Sequence, residues 1–204
     1  VCIHINKDVL WLGTTTNGVY CLNIDKKELT HPIQKGNITS FYQDSESELW
    51  IGSWEEGLFR VKADGTIENF KYNAKDTHSL SSNFVRACCE DNLGNIWIGT
   101  FNGLNRYNKI TGLFQNHTAN DTQADGLTHS SIWCIVKDNQ GTLWLGTYFG
   151  GVNYFNPEYE IYTRYSYSSN EKKGLSNPVV GRTIEDKDGN LWIGTEGGGL
   201  NYYN

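Results

Sequence analysis

The sequence predicts an all-β fold, a β-propeller segment of about five four-stranded antiparallel blades, the last truncated. Three observations predict it. A box of aliphatic, Trp, aliphatic, Gly and Thr or Ser occurs at residues 10–14, 49–53, 96–100, 143–147 and 191–195. Its tryptophans, Trp11, Trp50, Trp97, Trp144 and Trp192, stand 39, 47, 47 and 48 residues apart, and a period in this range marks an array of structural repeats. Strand-like runs surround every box, while a helical period is nowhere sustained.

The box is a short run of β-branched and aromatic residues, which reads as a strand buried on both faces. Ahead of it stands Asp-x-x-Gly-x in three copies, starting at Asp91, Asp138 and Asp186. An Asp side chain bonds turn amides and Gly supplies positive φ, so this is a hairpin between two strands. The strand before the turn is expected at 38–44, 85–91, 132–138 and 180–186. After the box, a Gly and an apolar residue open a third strand, at Gly18, Gly57, Gly103, Gly151 and Gly199. A weaker fourth is expected at 29–34, 67–72, 113–117 and 161–165. Four antiparallel strands in just over forty residues are a propeller blade. All five box tryptophans are expected to be buried, with the box glycine making room for the next sheet.

The chain reads as one architecture spanning 1–204, with repeats at approximately 1–35, 36–79, 80–125, 126–174 and 175–204. Repeat one has a shorter first hairpin, Asn6-Lys7-Asp8, and a first strand at 1–5. Repeat two replaces the glycine turn by residues 44–48, Asp-Ser-Glu-Ser-Glu, so a different turn type or a wider loop is expected there. Repeat five ends after three strands. Its third strand, at 200–203, is expected to be an unpaired edge of an incompletely closed arc, prone to self-association.

Composition narrows the function. The net charge is −6 with 17 Lys and Arg scattered along the chain, and the pI is near 5.3. Nucleic acid and anionic membrane surfaces are therefore not expected as partners of this segment. No run approaches 18 consecutive apolar residues and no methionine is present, so the chain reads as a piece of a longer one. Five cysteines, Cys2, Cys21, Cys88, Cys89 and Cys134, show no metal-ligand spacing and read as small buried hydrophobes. Cys88 and Cys89 are adjacent in a strand and must face opposite ways. The five histidines are scattered, and the Asp186-x-Asp188-Gly189 run lacks the further carboxylates of a calcium loop. No metal site and no cofactor are expected.

In a four-stranded blade, the loop from second to third strand and the lead into the first strand emerge on the same face. That face carries loops 15–17, 54–56, 101–102, 148–150 and 196–198. Seven tryptophans exist, and Trp54 and Trp133 are the two outside the boxes. Arg86 holds the position equivalent to Trp133, and Arg182 lies one residue further along its repeat. Flat rings beside polar groups suit sugars, and arginines suit a uronate or sulfate. The candidate ligand-binding set is Trp54, Arg86, Phe101, Asn102, Trp133, Tyr148, Phe149 and Arg182. The competing reading is that these aromatics pack across blades.

The run Leu80-Ser81-Ser82-Asn83-Phe84-Val85, then residues 90–100 through the Asp91 turn and the Trp97 box, then 102–107, resembles the two-component regulator propeller repeat. Residues 175–200 resemble it almost as well. The resemblance implies the periplasmic sensor region of a hybrid two-component histidine kinase of Bacteroidetes type, detecting glycan breakdown products in signal transduction. It also implies a parent chain with a membrane span, kinase core, receiver and DNA-binding output, and a homodimer of that parent. Implied partners are an oligosaccharide ligand and the rest of the sensor ectodomain. This segment shows no phospho-accepting His motif or ATP-binding glycine motif, so it is not itself expected to be an enzyme. Two alternatives stand beside this reading: a carbohydrate-active propeller enzyme of sialidase or lyase type, and a pure protein-interaction scaffold.

Overall fold

Five antiparallel sheets follow one another along the chain, each a meander in which sequence neighbours pair. The computed structural model describes residues 2–119, 126–157, 161–169 and 174–204, and no helix occurs among them. Val1, expected to open the first strand, and Asp125, expected to close the third repeat, lie outside the described residues. The first sheet contains β1 (Cys2–Asn6), β2 (Val9–Gly13), β3 (Val19–Asn23) and β4 (Glu28–Ile33), and the second β5 (Ile38–Gln43), β6 (Leu49–Ser53), β7 (Leu58–Val61) and β8 (Ile67–Phe70). The third contains β9 (Val85–Glu90), β10 (Ile96–Thr100), β11 (Gly103–Asn108) and β12 (Leu113–His117). The fourth contains β13 (Ile132–Lys137), β14 (Leu143–Thr147), β15 (Val152–Asn156) and β16 (Ile161–Tyr165). The fifth has β17 (Val180–Glu185), β18 (Leu191–Thr195) and β19 (Gly199–Tyr203), with no fourth strand among the described residues.

One carboxylate organises each of the last four sheets. Asp91 Oδ1 accepts the amides of Leu93 and Asn95, both at 2.9 Å, while Oδ2 accepts the Trp97 indole N–H at 2.7 Å. Asp44, Asp138 and Asp186 repeat the pattern, with Trp50, Trp144 and Trp192 donating at 2.8, 2.7 and 3.0 Å. The turn, the second strand and the large ring are thus fixed together. Repeat two keeps the same turn despite lacking the glycine, contrary to expectation. Ser47 adopts φ 65 where Gly94 has φ 80, and its amide still bonds Asp44 O at 3.1 Å. The carboxylate bonds hold a serine in a region normally left to glycine.

The box alternates between neighbours. Ile96 and Ile98 pack back against Trp50 of the second sheet, whereas Trp97 packs forward on Ile132, Leu143 and Leu145 of the fourth. The adjacent thiols obey the same alternation: Cys88 joins the rearward cluster and Cys89 the forward one. Burial pushes the Cys89 thiol up to about 11. The box glycine lies on the forward face, where a Cβ on Gly99 would stand 2.8 Å from Ile132 Cγ2 and one on Gly146 2.6 Å from Val180 Cγ1. Glycine here permits close approach of the next sheet.

The five tryptophans are not equally buried, which corrects the expectation. Trp50, Trp97 and Trp144 are 0%, 1% and 6% exposed, but Trp11 and Trp192 are only half-buried. Trp192 has no further sheet in front of it among the described residues. In the first sheet Asn6 pairs with Val9 across a tight turn, so no aspartate stands six residues before Trp11. Among the described residues, both end faces of the array are uncovered: Ile3 and Ile5 are exposed at one end, Ile184, Leu200 and Tyr202 at the other. Tyr203, by contrast, turns inward onto Trp144 and Tyr165.

Between the second and third sheets, Lys109 Nζ joins Asp44 at 2.9 Å and Glu90 at 2.8 Å. Burial alone would raise the Asp44 carboxyl, but bonds from the Trp50 indole and Lys109 outweigh it and hold the group below the ordinary aspartate value.

These contacts set expected outcomes for urea melts. Trp97→Ala should lose ~3–5 kcal/mol, as for other large aromatic truncations in a core, and Trp192→Ala clearly less. Gly99→Ala should cost ~1–3 kcal/mol through overpacking against Ile132, whereas Gly194→Ala should be near neutral, its nearest neighbour being Arg182 O at 3.5 Å. Equal losses at both glycines would contradict the packing described.

The pH dependence follows from Asp44. A carboxyl depressed in the folded state contributes stability that is present above its unfolded value and lost as pH falls through the folded one. The urea midpoint should therefore drop as pH falls below the ordinary aspartate range. Asp44→Asn should lower the neutral-pH midpoint and flatten that drop; a parallel drop in both proteins would contradict it.

Candidate ligand-binding face

The loops expected on one face do meet there. The amides of Trp54, Phe101, Tyr148 and Glu196, each just after a box, bond the carbonyls of Asn37, Phe84, Ser131 and Val179, each at the lead into a first strand, at 2.8–3.0 Å. Gly57, Gly103 and Gly151 extend the stitching to the following sheet, bonding Asn83, Ser130 and Pro178. The box hydroxyl closes the same loop from inside, as Thr100 Oγ1 donates to Gly103 O at 2.9 Å. The loops after Ser53, Thr100 and Thr147 are therefore tied to their own blade and to the next.

A β-bulge recurs at the same place in four first strands. Pairing jumps from Ile38 to Ser40, from Val85 to Ala87, from Ile132 to Cys134 and from Val180 to Arg182. The residues left out of the ladder are Thr39, Arg86, Trp133 and Gly181. A bulge frees one residue from pairing and re-aims its side chain. All four line one cavity of about 400 Å3, together with Trp54 and Arg182, a size within the range of small-molecule sites. The equivalence of Arg86 and Trp133 was legible from their distance to the turn aspartate. Thr39 and Gly181 stand at the same distance, but neither residue type stood out.

Arg86 is the centre of the cluster. Its Cζ lies 4.1 Å from the Trp133 ring centroid, 5.1 Å from Trp54 and 5.4 Å from Phe101. Nη1 donates to Ser131 Oγ at 2.9 Å, while Arg86 Nε and Trp133 Nε1 are buried without a hydrogen-bond partner. The side chain is 9% exposed, and burial pushes the guanidinium below its ordinary value, although an arginine remains a cation at neutral pH.

The rings continue outward in two branches. Trp54 meets Phe84 edge-on at 5.4 Å and Phe84 meets Phe101 at 6.0 Å. Trp133 stacks on Tyr148 at 5.8 Å, and Tyr148 meets Phe149 at 4.3 Å. Of the sequence-derived set, Trp54, Arg86, Trp133 and Arg182 line the cavity. Phe101 and Tyr148 support it from the side, and Phe149 is an exposed outer ring. Asn102 sits exposed at a loop tip, its amide bonded to Thr100 Oγ1 at 3.2 Å, and is not brought into the cluster. Packing across blades and an open cavity thus coexist, because Arg86 carries the rings of three blades toward one opening.

The fold and this axial face define a propeller built from a repeated aspartate-tryptophan unit. Residues 32–55, 79–102, 126–149 and 174–197 match the two component regulator propeller model. Every member of the candidate set lies in a matched segment. The first repeat, which has no aspartate six residues before its tryptophan, begins outside them. Among solved structures, the extracellular domain of a protein described as hybrid two component system BT3049 from B. thetaiotaomicron is 25% identical with TM-score 0.76, covering 100% of this chain and 26% of that one. The extracellular domain of BT4673 from the same organism is 24% identical with TM-score 0.77, covering 98% and 26%. The chain therefore spans about a quarter of the ectodomains it resembles. Virginiamycin B lyase from Staphylococcus aureus, 15% identical over 99% of this chain and 68% of its own, has TM-score 0.71 and shares the fold. No curated protein matches the chain.

Proposed function

We propose that this chain is part of the extracytoplasmic, periplasmic sensor region of a hybrid two-component histidine kinase, and that its axial face binds a glycan-derived oligosaccharide. The observation that carries this reading is the cavity in which one unpaired bulge residue from each of four blades converges. Its lining combines aromatic rings with forked hydrogen-bond donors, the chemistry sugar faces and hydroxyls require. Resemblance to two-component ectodomains supports signalling as the purpose of binding.

Binding here would act by differential affinity. A ligand favours the signalling state of a homodimeric parent only insofar as it binds that state better, typically by ~1–3 kcal/mol. The remainder of the ectodomain is the other partner, and the membrane is reached through the parent chain. A propeller lyase shares the fold, yet among the described residues the lining of this cavity offers no His, Lys or carboxylate for acid–base work. That favours a binder over an enzyme.

Calorimetric titration against a panel of neutral and acidic oligosaccharides tests the proposal. Replacing Trp54 and Trp133 together by Ala should weaken binding about fivefold or more, taking ~0.5–1.5 kcal/mol for each ring contact as for aromatic pairs, with the far-UV circular dichroism unchanged. An unaltered affinity would move the site off this face, and product formation during incubation would favour the enzyme.

A further inference from the structure

We infer that the axial cavity is an anion subsite, in which Arg86 and Arg182 receive a carboxylate or sulfate carried by a sugar ring, and Gly181 leaves the space that ring occupies. This rests on the reading of the face as a small-ligand site.

Charge is the first argument. The chain carries a net charge of −6, yet among the described residues the cavity lining holds two arginines and no carboxylate. Elsewhere in the molecule buried cations are matched: Arg60 meets Glu48 at 2.6 Å, and Lys109 meets Asp44 and Glu90. Among the described residues no acidic group pairs with Arg86. Its compensation is three aromatic faces and one serine hydroxyl. Ring faces stabilise the cation but satisfy none of its in-plane donors, and Nε is left bare. Buried donors without partners are costly and call for an explanation, and an oxyanion that presents two oxygens matches the guanidinium fork.

Shape is the second argument. Thr39, Arg86 and Trp133 fill their positions around the opening, but the fourth bulge residue has no side chain. A Cβ at Gly181 would meet nothing nearer than Gly194 O at 3.8 Å. The vacancy sits beside Arg182, which is exposed at the cavity rim. A ring seated over the β17 backbone would bring its charged substituent between the two guanidinium groups.

Matched pairs of sugars that differ only in charge provide the test: cellobiouronate and cellobiose 6-sulfate against cellobiose, and digalacturonate against galactobiose, each titrated into the whole chain by calorimetry. At least one acidic member should bind tenfold or more tightly than its neutral counterpart, and which acid wins distinguishes carboxylate from sulfate. Arg182→Gln, an exposed change that leaves the fold intact, should erase most of that ratio. Arg86→Met should erase the rest, with circular dichroism reporting its folding. Gly181→Leu should exclude the acidic and neutral members alike. Neutral members binding as tightly as acidic ones, or a ratio unmoved by Arg182→Gln, overturns the anion subsite while leaving oligosaccharide binding standing. Failure of every sugar to bind overturns both readings.

Discussion

Four of the five sheets hang on a carboxylate that takes three hydrogen bonds at once. One oxygen gathers two backbone amides of a turn, and the other holds the indole N–H of a tryptophan six residues later. A large ring is thereby oriented before any neighbouring blade arrives, with its polar edge satisfied, so its apolar body can be buried whole. The next sheet then needs only a β-branched residue that fits beside the box glycine. Trp11, in the first sheet where that aspartate is missing, is half-buried, and so is Trp192, which has the bond but no sheet in front of it among the described residues.

Much of this was legible in the sequence because the interaction is local. Six residues separate donor and acceptor, and the period of the tryptophans announces the sheets they belong to. The forward-facing glycines were legible for the same reason. Ser47 was not, since serine carries no signal for a left-handed backbone, and only the carboxylate bonds around it explain its conformation. Nor was the unequal burial of Trp192, because a blade's forward face depends on what stands beyond it.

The candidate site was half legible. Trp54, Arg86 and Trp133 announced themselves as residues in excess of what the repeat requires. The bulge that unites Arg86 and Trp133 with Thr39 and Gly181 was hidden, because a bulge is a property of pairing between strands and leaves no mark on composition. Asn102 was drawn in by its place on a loop of the right face, but lying on a face does not bring a side chain to the axis.

The bulge separates two tasks that most sheet positions must combine. A residue inside a ladder must suit its cross-strand partners and its core face together, whereas residues 39, 86, 133 and 181 answer to no partner across the strand. Each of the last four blades thus offers one position that its own ladder does not constrain. Four such positions around a single opening turn a repetitive scaffold into something like a combination lock, whose setting can change one wheel at a time.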